Sequence, residues 1–290
     1  MASILQRNGL AVPAATPIVS SAKGLTVIVP TLNEAANVEP LLDRIFGGRN
    51  AELVTEALFV DDGSTDSTCD RISELAARYP VRVIRRNTTS GGLAGAVLEG
   101  AAAARTRWVL VMDADLSHPP EKITDLMAPL LDGSQDMVIG SRYITGGQTP
   151  GWPVWRRAMS RSACLLAAPL TRVKDPLSGF FATRRSSILN CKGNPTGFKI
   201  ALEIIVRAGN RFRVKEIPVV FKDRVRGQSK MNLRVLFIYL MRLSYLLLWQ
   251  TGDDFRVFAG LLIGRFRWQP NEQSTGATVP AGKSLVADQP

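Results

Sequence analysis

The chain has 290 residues, 46% hydrophobic and 21% charged, which is ample material for one large domain or two small ones. A net charge of +11 and a pI near 10.1 favour anionic partners: phospholipid, nucleic acid or phosphate-bearing substrates. Cys69, Cys164 and Cys191 are odd in number and fit no metal-ligand spacing, so they read as reduced, buried thiols.

In chain order, MASILQRNGLAVPAATPIVSSAKG has no basic segment followed by a long apolar core. No signal peptide is expected, and residues 1–22 read as a flexible tail. LTVIVP, from Leu25 to Pro30, reads as a buried strand, and TLNEAANVEPLLDRIF as a helix with Thr31 or Asn33 as its N-cap. ALFVDD is a second strand, turning through GSTDST into a helix whose apolar face is Cys69, Ile72, Leu75 and Tyr79. VRVIRR is a third strand, followed by an alanine-rich helix after the glycines of TTSGGLAGAVLEGAAAAR. WVLVMD and DMVIGS are the fourth and fifth strands. Strands alternating with helices imply parallel βαβ units and a doubly wound α/β sheet, with ligands beyond the carboxyl ends of the strands.

Those ends carry polar signals: PTLNE, DDGST and DADLS. No GxGxxG follows the first strand and no GxxxxGK[ST] occurs, so the dinucleotide and P-loop readings lose their main support. WVLVMDADLSHPP instead ends a buried strand on two carboxylates, Asp113 and Asp115, whose mutual repulsion a cation would relieve. As the chain turns, both can approach one hard divalent ion that also takes phosphate oxygens and water. The alternative is a solvated acidic loop. Of Asp61 and Asp62, one carboxylate suits a base or ribose and the other a helix cap, or both belong to a turn.

Taken together, PTLNE, VDDGSTD, MDADLSHPP, GSRY, DPLSGFFATRR and DRVRGQSKM stand in the order and spacing of family 2 glycosyltransferases. The chain most resembles the dolichol-phosphate mannosyltransferases and related polyprenyl-phosphate hexosyltransferases, over roughly Leu25 to Lys230. The resemblance implies a GT-A-type fold, with a Rossmann-like, mostly parallel central sheet flanked by helices. It implies a nucleotide-sugar donor, GDP-mannose above all, with Mg²⁺ or Mn²⁺ as cofactor. By position, Pro30, Leu32, Glu34, Val60 and Asp62 would surround the nucleotide. Asp113, Ala114, Asp115 and Ser117 would hold the diphosphate, with Asp113, Asp115 and Ser117 on the metal. Arg142, Arg224 and Lys230 would complete the anion site beside the two aspartates as the catalytic set, and Arg142, Arg156 and Ser160 would cradle the acceptor phosphate. Leu32 stands where relatives often carry an aromatic residue, and Ser117 where Gln occurs.

The implied acceptor is a polyprenyl or dolichyl phosphate. Its oxygen is already anionic near pH 7 and needs no general base, so His118, the only histidine, reads as structural or peripheral. DRVRGQSKM gathers cations around a glycine, as a loop closing over phosphates or as a basic surface turn. VLFIYLMRLSYLLLW, from Val235 to Trp249, carries Arg242 and falls short of the ~20 residues of a membrane span. It reads as an interfacial helix, with a core helix and a span as alternatives, in a membrane-associating segment covering 231–266. The polar stretch 267–290 reads as a disordered tail, leaving residues 23–230 as the transferase domain. The resemblance implies a membrane-surface enzyme whose site faces the cytoplasm, with no nucleic-acid partner, and leaves separate anchoring subunits open. Alternatives are a UDP-sugar-dependent hexosyltransferase and a non-catalytic basic membrane-binding protein.

Overall fold

In the computed structural model, the described residues are 24–86, 91–191, 199–222, 239–250 and 252. The expected tails 1–22 and 267–290, most of the expected 231–266 segment, and Arg224 and Lys230 lie outside them.

A seven-stranded sheet runs in the order β3-β2-β1-β4-β6-β5-β7. The strands are β1 (Leu25–Thr31), β2 (Val54–Asp61), β3 (Val81–Arg85), β4 (Trp108–Val111), β5 (Met137–Ser141), β6 (Phe181–Arg184) and β7 (Val214–Pro218). The helices are α1 (Ala35–Ile45), α2 (Thr68–Leu75), α3 (Gly92–Ala103), α4 (Ile123–Leu131), α5 (Val154–Leu166), α6 (Arg185–Leu189), α7 (Ile200–Ala208) and α8 (239–250). Side chains of β1 alternate between two cores. Leu25, Val27 and Val29 pack with Leu41, Leu42 and Ile45 of α1, whereas Ile28 packs with Ala96, Val97 and Ala101 of α3. Such two-sided burial is why these strands read as continuous apolar runs. Gly100 lets α3 lie close to the sheet: a Cβ there would meet Ile28 Cγ2 at 2.5 Å.

The five strands expected from the sequence are present, and two more join them. β7 pairs parallel with β5, but β6 runs antiparallel between β4 and β5, with Val111 opposite Phe181. The sheet is thus mostly parallel, as the resemblance implies, with β6 as its antiparallel strand. FATR is only four residues long and carries little periodic signal, which is why pattern alone passes over it. The reversal matters for the site: β6 enters the sheet from the carboxyl end of β4.

Two local expectations also change. Neither Thr31 nor Asn33 caps α1; the cap position is Glu34, with no side-chain cap bond. Side chains from the loop after β2 and the start of α2 serve that helix end instead: Thr68 Oγ1 accepts Glu34 N–H at 2.9 Å and Asp66 Oδ2 accepts Ala35 N–H at 3.2 Å. Cys69, Ile72 and Leu75 form the buried face of α2 as expected, while Tyr79 falls beyond the helix end and stacks on Phe46. All three cysteines are buried and free.

Helix α8 buries Leu243 and Leu246 against Cys164, Leu170, Leu202 and Val206 and exposes Met241, Tyr245 and Leu248. Glu203 of α7 fastens it, accepting from Arg242 and, within its own helix, from Arg207. One face of the expected interfacial helix is thus core. Among the described residues no helix is long and apolar enough to cross a membrane.

Candidate active site

Strand order reverses at β1, whose neighbours β2 and β4 lead to opposite edges. In open α/β sheets the crevice at such a switch point holds the ligand. PTLNE leaves β1 there, VDDGS leaves β2, and DADLS leaves β4.

The loops after β1 and β2 are stitched together. Asn33, at φ 59°, accepts Thr65 N–H on Oδ1 at 2.8 Å, and its own N–H donates to Ser64 Oγ at 2.9 Å. Asp61 is consumed by its turn, accepting Gly63 and Ser64 N–H at 3.1 and 2.9 Å. Asp62 pairs with Arg86, which also donates to Glu99 at 3.1 Å. Arg86 escapes sequence reading because it stands at the end of a strand with no motif of its own. Pro30 and Glu34 are half-buried at the mouth and Leu32 is exposed. Val60 is fully buried beneath Gly100, so it offers the crevice only its backbone.

After β4 the chain turns sharply. Leu116 sits at φ 62°, an uncommon conformation for a bulky side chain and one that clusters at functional sites. The turn brings Ser117 N–H to Asp115 Oδ1 at 3.0 Å. Asp115 and Ser117 are buried, whereas the Asp113 side chain retains 34% exposure. Ser117 Oγ is a buried polar atom with no hydrogen-bond partner among the described residues. Such an orphan calls for an explanation, and a ligand is one. Gly179 borders the same place, where a Cβ would lie in van der Waals contact with Asp113 Oδ1 at 3.4 Å. Two carboxylates and an orphan hydroxyl fit a hard divalent ion. Among the described residues no trio of His, Cys, Asp and Glu side chains gathers to hold a metal, which leaves coordination positions for phosphate oxygens and water.

The opposite flank is cationic and aromatic. Asp175, fully buried, accepts from Arg142 Nε at 2.8 Å, Nη2 at 2.7 Å and the backbone N–H at 2.9 Å. Burial alone would lower the guanidinium's pKa; the Asp175 carboxylate outweighs it and holds Arg142 above its ordinary value. The sequence reading placed Arg142 on phosphate without this carboxylate, which therefore already balances its charge. Asp175 is held in turn by its neighbours: Glu216 of β7 accepts the N–H groups of Lys174 and Asp175, both at 2.9 Å. On α5, Arg156 lies 4.0 Å from the centroid of Trp152, and Ser160 Oγ accepts the Tyr143 hydroxyl at 2.6 Å. Lys199, which the sequence reading passed over, donates to Leu177 O at 3.4 Å; burial first, then nearby Arg142, lowers its pKa.

His118 is buried behind the acidic loop, and its Nδ1 accepts Asp113 N–H at 3.1 Å. That nitrogen therefore carries no proton, so its 3.9 Å approach to Asp113 Oδ2 is not an ion pair. Burial lowers the imidazole's pKa despite the nearby Asp113. Lys222, the last described residue before 223–238, donates its N–H to Ser117 O at 3.2 Å.

The profile of Glycosyl transferase family 2 matches residues 26–192, spanning β1, the crevice loops and the Arg142–Asp175 clamp. The chain belongs to glycosyl transferase family 2. This glycosyltransferase is 41% identical over 247 residues to a dolichol-phosphate mannosyltransferase of Pyrococcus furiosus, covering 83% of this chain and 68% of that one. It is 39% identical to the dolichol-phosphate mannosyltransferase of Saccharomyces cerevisiae, covering 79% and 89% respectively. With the polyprenol monophosphomannose synthase of Mycolicibacterium smegmatis it shares 36% identity, over 71% and 80%. Among solved structures, glucosyl-3-phosphoglycerate synthase from Mycobacterium tuberculosis, in complex with Mn²⁺, UDP-glucose and phosphoglyceric acid, superposes with a TM-score of 0.57. That match has 26% identity and covers 79% of this chain and 80% of that one.

Proposed function

We propose that this glycosyltransferase moves mannose from GDP-mannose to a polyprenyl or dolichyl phosphate, with a divalent metal and inversion at the anomeric carbon. The named relatives support the reaction. The observation that carries it is the make-up of the site: a carboxylate and hydroxyl cradle on one flank, cations and aromatic rings on the other, and no histidine free to act as a base. A hydroxyl acceptor would need a base in reach, whereas a phosphate oxygen needs none.

In this reading Asp113, Asp115 and Ser117 hold the metal, which when bound neutralises the diphosphate leaving group. Pro30, Leu32, Glu34, Val60 and Asp62 line the nucleoside pocket, Val60 through its backbone, and Ala114 joins the acidic turn at the diphosphate. Arg156 and Ser160 receive the acceptor phosphate, and the Asp175-clamped Arg142 shapes the space between the reactants. Arg224 and Lys230, beyond Lys222, complete the anion site. The acceptor oxygen forms its bond to the anomeric carbon as the bond to the nucleoside diphosphate breaks. Alignment of two anionic reactants supplies much of the acceleration.

Domain 23–230 would work at a bilayer surface. Support comes from α5, where Val154, Trp155 and Leu165 stand 72%, 65% and 72% exposed among the exposed Arg157 and Arg161. Exposed apolar side chains interleaved with arginines suit an anionic lipid interface.

The test is transfer from GDP-mannose or UDP-glucose to a polyprenyl phosphate, after chelation and with Mg²⁺ or Mn²⁺ restored. Metal-restored transfer from GDP-mannose is expected. Transfer from UDP-glucose alone favours the UDP-sugar reading, which the Mn²⁺- and UDP-glucose-bound structural relative motivates. Metal-independent transfer overturns the cradle's role.

A further inference from the structure

The chain's one histidine joins the two flanks of the site. Its Nδ1 accepts Asp113 N–H at 3.1 Å, fixing the peptide from which that carboxylate projects. One face of the ring stacks on Phe180, centroids 5.1 Å apart at 15°. Phe221 meets it edge-on at 5.2 Å and 75°, and Phe221 in turn meets Trp152 edge-on at 5.4 Å and 79°. Trp152 carries the Arg156 guanidinium 4.0 Å from its centroid. Asp113, His118, Phe221, Trp152 and Arg156 thus form an unbroken line of contacts from the acidic cradle to the cation on α5. Backbone bonds hold the line in place: Phe221 N–H donates to Gln148 O at 2.9 Å and Lys222 N–H to Ser117 O at 3.2 Å. Gly179 lies beside the ring: a Cβ there would sit in van der Waals contact with His118 Cε1 at 3.5 Å.

We propose that His118 is a positioning residue that aims Asp113 at the donor complex through Nδ1 and sets Arg156 for the acceptor through its ring. The inference rests on the functional reading above. Its two halves use different parts of one side chain. An apolar ring of similar size keeps the stacking and loses the acceptor atom. A small amide keeps an acceptor where Nδ1 stands and loses the ring.

Three variants separate these roles: His118→Phe, His118→Asn and His118→Gln, the last placing its oxygen where Nε2 stands. Binding of Mn²⁺ with GDP is read by calorimetry, and KM for polyprenyl phosphate by transfer assay. His118→Phe should weaken Mn²⁺·GDP binding about 10- to 100-fold, the range seen when a group orienting a metal ligand is lost. His118→Asn should keep that affinity within about threefold of wild type, well inside the loss expected for the phenylalanine variant. It should instead raise KM for the acceptor. His118→Gln should bind Mn²⁺·GDP as poorly as His118→Phe, so the comparison survives even if the phenylalanine variant does not fold. Equal donor affinity in the asparagine and glutamine variants overturns the inference, because it reduces position 118 to space-filling. A wild-type chain that binds no Mn²⁺·GDP overturns the functional reading and this inference together. Wild-type binding with unseparated variants overturns this inference alone.

Discussion

On the proposed donor flank, Asp113, Asp115 and Ser117 occupy a single turn, and Ser117 N–H reaches back two residues to Asp115. On the acceptor flank, Arg142 depends on Asp175, 33 residues away, and Tyr143 on Ser160, 17 away. The donor side leaves a carboxylate partly open and a hydroxyl orphaned; the acceptor side has its charges paired or stacked on aromatic rings. In the proposed reading, a bound cation would offset the local strain of that turn, where Leu116 sits at φ 62°. A flank assembled from distant segments needs buried pairs to hold its geometry.

If this contrast is right, damage to the donor turn should remove chemistry and spare the fold. Asp113→Ala and Asp115→Ala should each cut transfer by about 10³-fold or more, since metal charge stabilisation is worth several kcal/mol. Thermal midpoints near wild type are expected alongside; transfer rates near wild type would reject the cradle. The reverse holds for the clamp. Asp175→Ala strands the Arg142 guanidinium and should cost about 3–5 kcal/mol in denaturant unfolding. A cost under about 1 kcal/mol would mark the pair as no stronger than a surface bridge.

Arg156→Ala tests the acceptor flank without breaking a buried pair. KM for polyprenyl phosphate should rise about tenfold, the scale of one hydrogen bond to a charged group, with donor KM unchanged. A rise in donor KM instead would move Arg156 to the other side of the site. The smallest effect concerns the thiols. Burial, reinforced by Asp175, pushes Cys164 up to about 12, and burial pushes Cys191 to about 12. At pH 8 only ~10⁻⁴ of either thiol is thiolate, and the thiolate is the reactive form. A disulfide reagent should therefore label both slowly in the folded chain and rapidly in denaturant. Fast labelling of Cys164 in the folded state would show the acceptor flank to be looser than its pairs suggest.

The donor flank was also the more legible one. DADLS announces itself because two carboxylates directly after a buried apolar run are costly without a cation, and DDGST and PTLNE mark the neighbouring strand ends. The strands beneath them were readable for the same reason: LTVIVP and ALFV bury both faces and so admit almost no polar residue. The acceptor flank left weaker traces. Nothing local to DPLSG says that Asp175 serves Arg142, because that pairing depends on β6 entering the sheet antiparallel beside β4. Arg86 and Lys199 carry no motif and are chosen by where β3 and α7 happen to end and begin.

His118 shows the division in a single residue. Sequence alone determined that the chain has one histidine, that it follows the acidic turn, and that a phosphate acceptor has no need of it as a base. Only the tertiary structure decided that its ring would stand between Phe180 and Phe221, residues remote in sequence that the sheet brings to one place. Local chemistry is written in adjacent residues because charge and burial act over a few ångströms along the chain. The line of contacts from Asp113 to Arg156 is not, because it depends on which distant segments the packing of the sheet makes neighbours.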